Sequence, residues 1–290
     1  MGFFSLIKIL GVLPPNILAK LADDALRLRI FLQEKVRQKQ AREDGTVISE
    51  ILSCNGERLK RSILEKNEPW TIFDITSSQI PGMLTFAEKQ YYLYIGKFYS
   101  GRGEIVEIGS WLGSSTFYIV DGLLSNPYFR GRKVNVYDDF TWRSSWMDKW
   151  MNDSNLQLPS NHESFETLFH YFTKDINPYI NVSRRKLCEY DGNALVDDFE
   201  WSGLPIELCF IDCGRTLEVN EAWYKKLSPY FISDRTLIVM QDWQNYKRVP
   251  EIFWENTKIF TDSKGSALDL VHEVRNSGIA TFLYRNTAKC

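Results

Sequence analysis

Several features that would place this 290-residue chain in a specialised class are missing from it. Its formal net charge is −2, so it lacks the basic surplus with which proteins hold nucleic acid. The five cysteines form no C-x-x-C pair and no metal-ligand spacing, and an odd, scattered set is typical of a reducing compartment. No apolar run approaches the ~20 residues that a membrane-spanning helix needs. These absences favour a cytoplasmic globular protein with no nucleic-acid partner and no transmembrane segment.

The first 79 residues predict a helical extension ahead of the main domain. Residues 1–13 are apolar and stop at Pro14-Pro15, which suits either a short docking helix or peripheral contact with a membrane surface. Between residues 17 and 40, apolar residues recur at helical spacing with charged residues between them. That pattern predicts an amphipathic helix, which would pack on the body of the protein or on a second copy in a homodimer.

A strand, a glycine turn and a helix start follow one another after Glu104. Residues 105–108 are an apolar run of the kind that is buried in a parallel sheet, and Gly109 and Gly113 bracket the turn that follows. Glycine lets a ligand approach the backbone, and the free N–H groups of a helix start face that ligand. The spacing is neither a phosphate loop nor the dinucleotide fingerprint G-x-G-x-x-G. A nucleotide cradle is therefore predicted, with a plain glycine turn as the alternative.

Further apolar strands alternate with helices along the chain, which predicts a doubly wound parallel sheet. We expect the later strands at residues 133–137, 186–190, 205–212, 236–243 and 279–285, with a helix at 266–276 that contains His272. Ligands of such sheets bind beyond the carboxyl ends of the strands. Acidic residues in or after five strands are therefore expected to converge on one edge: Glu107, Asp138, Asp191, Asp212 and Asp242.

Two segments outside the predicted strands carry their own signals. Thr85 and Glu88 fit a capping box, which predicts a helix start just before the glycine-loop strand. Residues 140–182 are unusually aromatic and lie where a plain fold needs only a crossover helix. This insertion is interpreted either as a lid or substrate wall beside the ligand, or as an extra helix pair packed on the body.

The glycine stretch, Val-Glu-Ile-Gly-Ser-Trp-Leu-Gly-Ser-Ser-Thr at 106–116, resembles the first motif of class I S-adenosylmethionine (SAM) methyltransferases. The resemblance covers residues 80–285. It implies an α/β fold with a doubly wound, Rossmann-like sheet of seven strands, mostly parallel and closed by an antiparallel last strand. The chain then divides into the extension at 1–79 and a SAM-dependent methyltransferase domain at 80–290. The residues expected to bind SAM are Glu107, Gly109, Ser110, Gly113, Ser114, Asp138 at the ribose, Asp191 and Gly192 at the adenine, and Asp212.

The ends of the fourth and fifth strands are similar to those of macrocin-type O-methyltransferases. That family often has Ile-Asp-Gly-x-His after the fourth strand and paired acids after the fifth, which hold a divalent metal. Here Arg215 replaces the histidine, and Gln241-Asp242 replaces the acid pair. Asp212, Gln241 and Asp242 still offer oxygens to Mg²⁺, but with one charge fewer, so dependence on Mg²⁺ is left open.

The resemblance implies methyl transfer from SAM to a hydroxyl of a small-molecule or glycan-like acceptor. Such a displacement needs alignment of donor and acceptor and a base for the hydroxyl proton. Asp242 is the candidate base, and Trp142, Arg215 and Gln241 are the candidate acceptor contacts. The lost histidine and acid motivate an alternative, a protein of the same fold that binds SAM or a nucleotide without catalysis. The absence of G-x-G-x-x-G speaks against a third reading, a nucleotide-sugar or NAD enzyme.

Overall fold

The computed structural model describes residues 68–97, 99–126, 129–151, 156–191, 194–249 and 255–286. The predictions for residues 1–67, including the amphipathic helix at 17–40, and for Gly192 lie outside the described residues. The strands are β1 (Glu104–Ile108), β2 (Val134–Asp138), β3 (Ile180–Arg184), β4 (Glu189–Asp191), β5 (Ala194–Val196), β6 (Ile206–Ile211), β7 (Leu237–Met240), β8 (Leu268–Glu273) and β9 (Ala280–Tyr284). The α-helices are α1 (Phe86–Lys97), α2 (Ser114–Leu124), α3 (Ser144–Met147), α4 (Glu166–Phe172), α5 (Leu217–Leu227) and α6 (Glu255–Ser263).

Seven of these strands form one sheet in the order β3-β2-β1-β6-β7-β9-β8. The neighbours from β3 to β7 pair in parallel, whereas β9 pairs antiparallel with both β7 and β8. The remaining strands, β4 and β5, form a separate antiparallel hairpin. The predicted fold class is confirmed: the sheet is Rossmann-like and mostly parallel, with an antiparallel last strand. None of the helices in the described segments is long and apolar enough to cross a bilayer.

The central strands are buried on both faces, as a doubly wound sheet requires. Along β6, Leu208 and Phe210 face one hydrophobic cluster, which contains residues of α1 and α2. The alternate residues Cys209 and Ile211 face a second cluster on the opposite side of the sheet, which contains residues of α5 and α6. Because successive side chains of a strand point to opposite faces, one continuous apolar run supplies both layers of the core.

The helix ahead of β1 begins where the capping box predicted. The Thr85 N–H donates to Glu88 Oε2 at 2.8 Å, and the Glu88 N–H donates to Thr85 Oγ1 at 3.3 Å. The described part of the predicted extension also contacts this helix, since the fully buried Trp70 packs edge-on against Tyr91 with 4.8 Å between ring centroids. The domain boundary after residue 79 stays a prediction.

The prediction of the third strand was wrong. The strand that pairs with β2 is Ile180–Arg184, at the end of the expected insertion, and not 186–190. Residues 189–191 instead form β4 of the small hairpin, so Asp191 does not end a strand of the main sheet. Only Ile180 of β3 is buried, because β3 is an edge strand, and an apolar run was therefore a poor guide to it.

The predicted helix at 266–276 was also wrong, because Leu268–Glu273 forms the edge strand β8 with His272 within it. The pairing of β8 with β9 shifts register between Leu270 and His272. A bulge inserts an extra residue and interrupts the alternation of a strand. Leu268, Val271 and Val274 are consequently buried at intervals of three residues, which imitates the period of a helix.

Candidate functional site

The glycine turn lies between the end of β1 and the start of α2, with backbone geometry that only glycine adopts readily. Gly109 and Gly113 have φ angles of +83° and +88°. A Cβ on Gly109 would lie 2.7 Å from the Asp212 carbonyl oxygen, so this glycine also lets β1 and the end of β6 approach closely. The loop therefore sits at the carboxyl edge of the sheet, and the first N–H groups of α2 follow it directly.

Glu107 is buried beneath this loop, near the centre of the sheet. Its carboxylate accepts the hydroxyl hydrogens of Ser115 and Thr116, each at 2.6 Å, and ties the first turn of α2 to β1. Burial raises the pKa of Glu107 to about 7, against the opposing effect of the two hydroxyls. The carboxylate thus supports the shape of the loop from within the protein.

Asp138, at the end of β2, is bonded to the same loop. Its Oδ2 accepts the N–H groups of Ser110 at 2.8 Å and Trp111 at 3.0 Å, and its Oδ1 accepts the Phe140 N–H at 2.8 Å. Burial and the neighbouring charge of Asp139 raise the pKa of Asp138 to about 6. Asp139 itself pairs with Arg143 at 2.6 Å. A carboxylate offers about four acceptor positions, and three of those on Asp138 serve the backbone.

The aromatic insertion packs directly on the glycine loop. A Cβ on Gly113 would lie 2.4 Å from Thr173 Cγ2, just after α4. Trp111 in the loop contacts Trp146 of α3 with 5.7 Å between ring centroids, and the buried Trp111 Nε1 has no hydrogen-bond partner among the described residues. The insertion therefore packs along one side of the glycine loop, and it also contributes side chains to the hydrophobic core.

Trp142 belongs to that core, contrary to its expected contact with the acceptor. Its side chain is fully buried, and its Nε1 donates to Asp148 Oδ1 at 2.7 Å. A side chain that is closed off from solvent and bonded within the insertion has no face for a ligand. We therefore do not retain it as an acceptor residue.

Asp212, Arg215 and Asp242 meet at the carboxyl ends of β6 and β7. Arg215 donates to Asp242 Oδ2 at 2.8 Å, so the expected base is held in an ion pair. The Asp212 carboxylate accepts no hydrogen bond from the segments that the structure describes. Burial raises its pKa well above the usual range, and the charge of Asp242 adds to this while Arg215 opposes it. Asp242 has a φ of 61°, a left-handed conformation for a residue other than glycine.

The Gln241 side chain is hydrogen-bonded to two residues of α1. Its Oε1 accepts the Tyr92 hydroxyl at 2.8 Å, and its Nε2 donates to Glu88 Oε1 at 3.2 Å. Glu88 Oε1 also accepts from the Ser277 hydroxyl at 2.7 Å, before β9. Both ends of the amide are thus engaged within the protein. Gln241 connects β7, α1 and the loop before β9, and its expected contact with the acceptor remains a prediction.

The structure brings most of the expected residues together and adds others. Gly109, Ser110, Gly113 and Asp138 share one loop environment. Ser114 begins α2 and lies close to Gly82, where an added Cβ would lie 2.6 Å from the Ser114 Cβ. Sequence reasoning missed the roles of Tyr92, Ser115, Thr116 and Glu88 at this edge. The capping box had marked Glu88, but only for helix initiation, and its second role depends on a loop almost 190 residues away.

The oxygens that the sequence offers to Mg²⁺ are partly engaged by other side chains of the protein. Among the described residues, no group of three or more His, Cys, Asp and Glu side chains is arranged to hold a metal ion. The Gln241 Oε1 is bonded to Tyr92, and Asp242 is bonded to Arg215. Of these oxygens, only the Asp212 carboxylate and Asp242 Oδ1 accept no hydrogen bond from the described residues, whereas a hard divalent cation takes about six oxygen ligands.

Comparisons with known proteins find similarity at the level of three-dimensional structure alone. No protein-family model matches the sequence, and no curated protein matches it significantly. The O-methyltransferase NovP is 16% identical, with 63% of this chain and 72% of NovP covered at a TM-score of 0.40. CalS11, a calicheamicin methyltransferase, is 12% identical over 80% of this chain and 92% of its own, with a TM-score of 0.43. A candidate caffeoyl-CoA O-methyltransferase from Staphylococcus aureus is 11% identical over 88% of this chain and 100% of its own, with a TM-score of 0.45.

These values describe distant similarity. The chain's own sheet has the seven strands, mostly parallel and with an antiparallel last strand, that the sequence resemblance implied. The assignment of function therefore rests on the residues of this chain.

Proposed function

We propose that this chain is a SAM-dependent methyltransferase that acts on a hydroxyl oxygen of a small-molecule acceptor. The observation that carries the proposal is the bond between Asp138 and the glycine loop. It joins the end of β2 to the end of β1 through the N–H groups of Ser110 and Trp111. Parallel sheets bind their ligands at this edge, and the cradle has glycine where a ligand approaches and a carboxylate beside it.

The residues of the cradle fit an adenosine-type cofactor. Asp138 Oδ1 accepts only the Phe140 N–H within the described segments, which leaves it a second acceptor position for a ribose hydroxyl. The buried Trp111 Nε1–H has no partner among the described residues and is a donor within the same loop. The free N–H groups at the start of α2 suit the carboxylate of an amino acid. Glu107 would act from beneath by fixing Ser115 and Thr116. SAM, when bound, supplies a methyl group on a sulfonium.

Proton removal from the acceptor is best assigned to Asp212. Asp242, the base that the sequence suggested, is engaged by Arg215, whereas the Asp212 carboxylate is unpartnered within the described segments. Asp212 also lies at the end of β6, next in the sheet to the glycine-loop strand β1. A general base must reach the hydroxyl proton directly or through one water, and an unengaged carboxylate at the sheet edge is available for that role.

The acceptor side is supported by aromatic surface beside the loop. Trp111 and Trp146 are partly exposed and pack against each other. A planar or sugar-like ring would stack on such side chains, and stacked aromatic groups contribute about 1 kcal/mol beyond the area that they bury. We therefore place a ring-bearing hydroxylated compound at this wall. Asp191 and Gly192 remain proposed adenine contacts on the sequence resemblance alone, because Asp191 lies in β4 and does not end a strand of the main sheet.

The first test is a calorimetric titration with S-adenosylhomocysteine (SAH). We expect the wild type to bind with a dissociation constant on the order of micromolar, and Asp138→Asn to bind at least about tenfold more weakly, because one oxygen acceptor is lost. Asp269→Asn, on the edge strand β8 beside Arg285, is the matched control and should bind as the wild type does. Thermal melts of all three proteins check that they fold.

The second test follows SAH formation from SAM with a panel of phenolic and sugar acceptors. If Asp212 is the base, Asp212→Asn should lose about 100-fold or more in kcat while it still binds SAH. A folded wild type that does not bind SAH would refute the proposal. SAH binding with no turnover on any acceptor would point instead to a non-catalytic binding protein.

A further inference from the structure

The cluster of Asp212, Arg215 and Asp242 at the ends of β6 and β7 contains a permanent positive charge beside its two carboxylates. Arg215 is bonded to Asp242, and its charge also acts on the pKa of Asp212. The guanidinium keeps its charge at every relevant pH and presents donors in a fixed plane. Nearly half of the Arg215 side chain, 46%, remains exposed to solvent. The cation is therefore tied to the site and also reaches solvent.

The surrounding groups explain why a cation is needed there. Glu107 and Glu88 add their negative charges to those of Asp242 and Asp212, and all of them raise the pKa of Tyr92 in addition to its burial. A site with this excess of carboxylates would attract a cation. An acceptor hydroxyl that loses its proton to Asp212 also becomes an oxyanion, which needs a positive charge nearby.

Two of the other oxygens at these strand ends, one on Gln241 and one on Asp242, are bonded to other side chains, which hinders binding of a metal ion. Gln241 Oε1 accepts the Tyr92 hydroxyl, and the amide cannot turn without also losing the bond from Nε2 to Glu88. Asp242 Oδ2 lies 2.8 Å from the Arg215 guanidinium. A divalent ion beside Asp212 and Asp242 would meet the repulsion of that guanidinium at close range.

We infer that Arg215 is the cation of this site, and that it takes the position beside the acceptor oxygen which a divalent metal would otherwise hold. This inference rests on the proposed methyltransferase function. Arg215 then acts in two ways in the working enzyme. It is oriented by Asp242, and its exposed part faces the oxygen from which Asp212 removes the proton. Methyl transfer by this chain proceeds without a divalent ion.

The experiment measures binding of Mn²⁺, as the probe, by the loss of its free electron paramagnetic resonance signal. The wild type and the control Lys247→Ala should leave the signal unchanged. Lys247 pairs with Glu273, so the control removes one positive charge outside the cluster. Arg215→Ala should bind one Mn²⁺ at least about tenfold more tightly than the wild type, because removal of the guanidinium frees Asp242 and ends the repulsion. Adding Asp212→Asn to Arg215→Ala should abolish that gain.

Two results would overturn the inference. One is stoichiometric Mn²⁺ binding by the wild type that Asp212→Asn removes, which would mean that the site takes a metal beside Arg215. The other is a folded Arg215→Ala protein with no gain in Mn²⁺ affinity. Arg215→Gln, which keeps a polar side chain, serves in place of the alanine variant if that variant unfolds. SAH titration reports separately on the proposed function, since a failure of SAH to bind leaves the Mn²⁺ results unaffected.

Discussion

Glu107 is expected to make the protein less stable as the pH rises towards neutrality. Burial raises its pKa from the usual 4.5 to about 7 in the folded protein. Between these two values, the folded state holds a proton that the unfolded state has released. The free energy of unfolding therefore falls as the pH rises from about 4.5 through about 7, and the full difference corresponds to about 3 kcal/mol.

The perturbation that isolates this effect is Glu107→Gln. The amide keeps the shape of a protonated carboxyl group, and the hydroxyls of Ser115 and Thr116 can each turn to accept or donate. We expect the variant to match the wild type at pH 4.5 and to be more stable by up to about 3 kcal/mol at pH 8. Urea denaturation across this pH range gives both values.

Ser115→Ala provides the control with the opposite sign. The Ser115 hydroxyl lowers the pKa of Glu107, so its removal should make the wild-type loss of stability with pH steeper. The reasoning is refuted if the stability of Glu107→Gln relative to the wild type does not change with pH. It is also refuted if Glu107→Gln itself loses stability most strongly above pH 7.

Two further predictions concern packing at the glycine loop and at β8. Gly113→Ala should destabilise the protein by about 1–3 kcal/mol in urea denaturation and weaken SAH binding, because it combines a φ of +88° with a Cβ 2.4 Å from Thr173 Cγ2. Adding Thr173→Ser should recover part of that loss; if it recovers none, the contact is not the cause. Burial lowers the pKa of His272 to about 4, so the wild type should lose stability as the pH falls from 6.5 towards 4. His272→Phe should abolish that loss in acid melts, and an unchanged profile would contradict the argument.

The main sheet could largely be predicted from the sequence, because its central strands are buried on both faces. A strand such as β6 appears as an apolar run that only Glu207 interrupts, and its burial leaves few other interpretations. The edges could not be predicted in this way. β3 is mostly exposed, and the bulge in β8 gives it a helical period, so both lacked the signal on which sequence interpretation depends.

The site divides along similar lines. The glycine loop and the acids at strand ends follow from local sequence and from the rule that parallel strands end at one edge. The local sequence does not predict which of these acids are bonded to other residues of the protein. The pairing of Arg215 with Asp242, the bonds of Asp138 to the loop and the hold of Tyr92 on Gln241 all join residues between 27 and 149 positions apart. Such pairings depend on the three-dimensional fold, and the spacing of residues within a short stretch of sequence does not predict them.

The charge of the site bears on which class of ligand it takes. Glu107, Asp138 and Asp212 all have pKa values raised by burial, and acidic neighbours raise each of them further. A nucleotide sugar or NAD would bring two phosphate charges to this edge and add repulsion to groups that already resist ionisation. A sulfonium cofactor brings a positive charge and favours their ionised forms. The same electrostatics that destabilises the protein at neutral pH thus favours SAM over phosphate-bearing ligands.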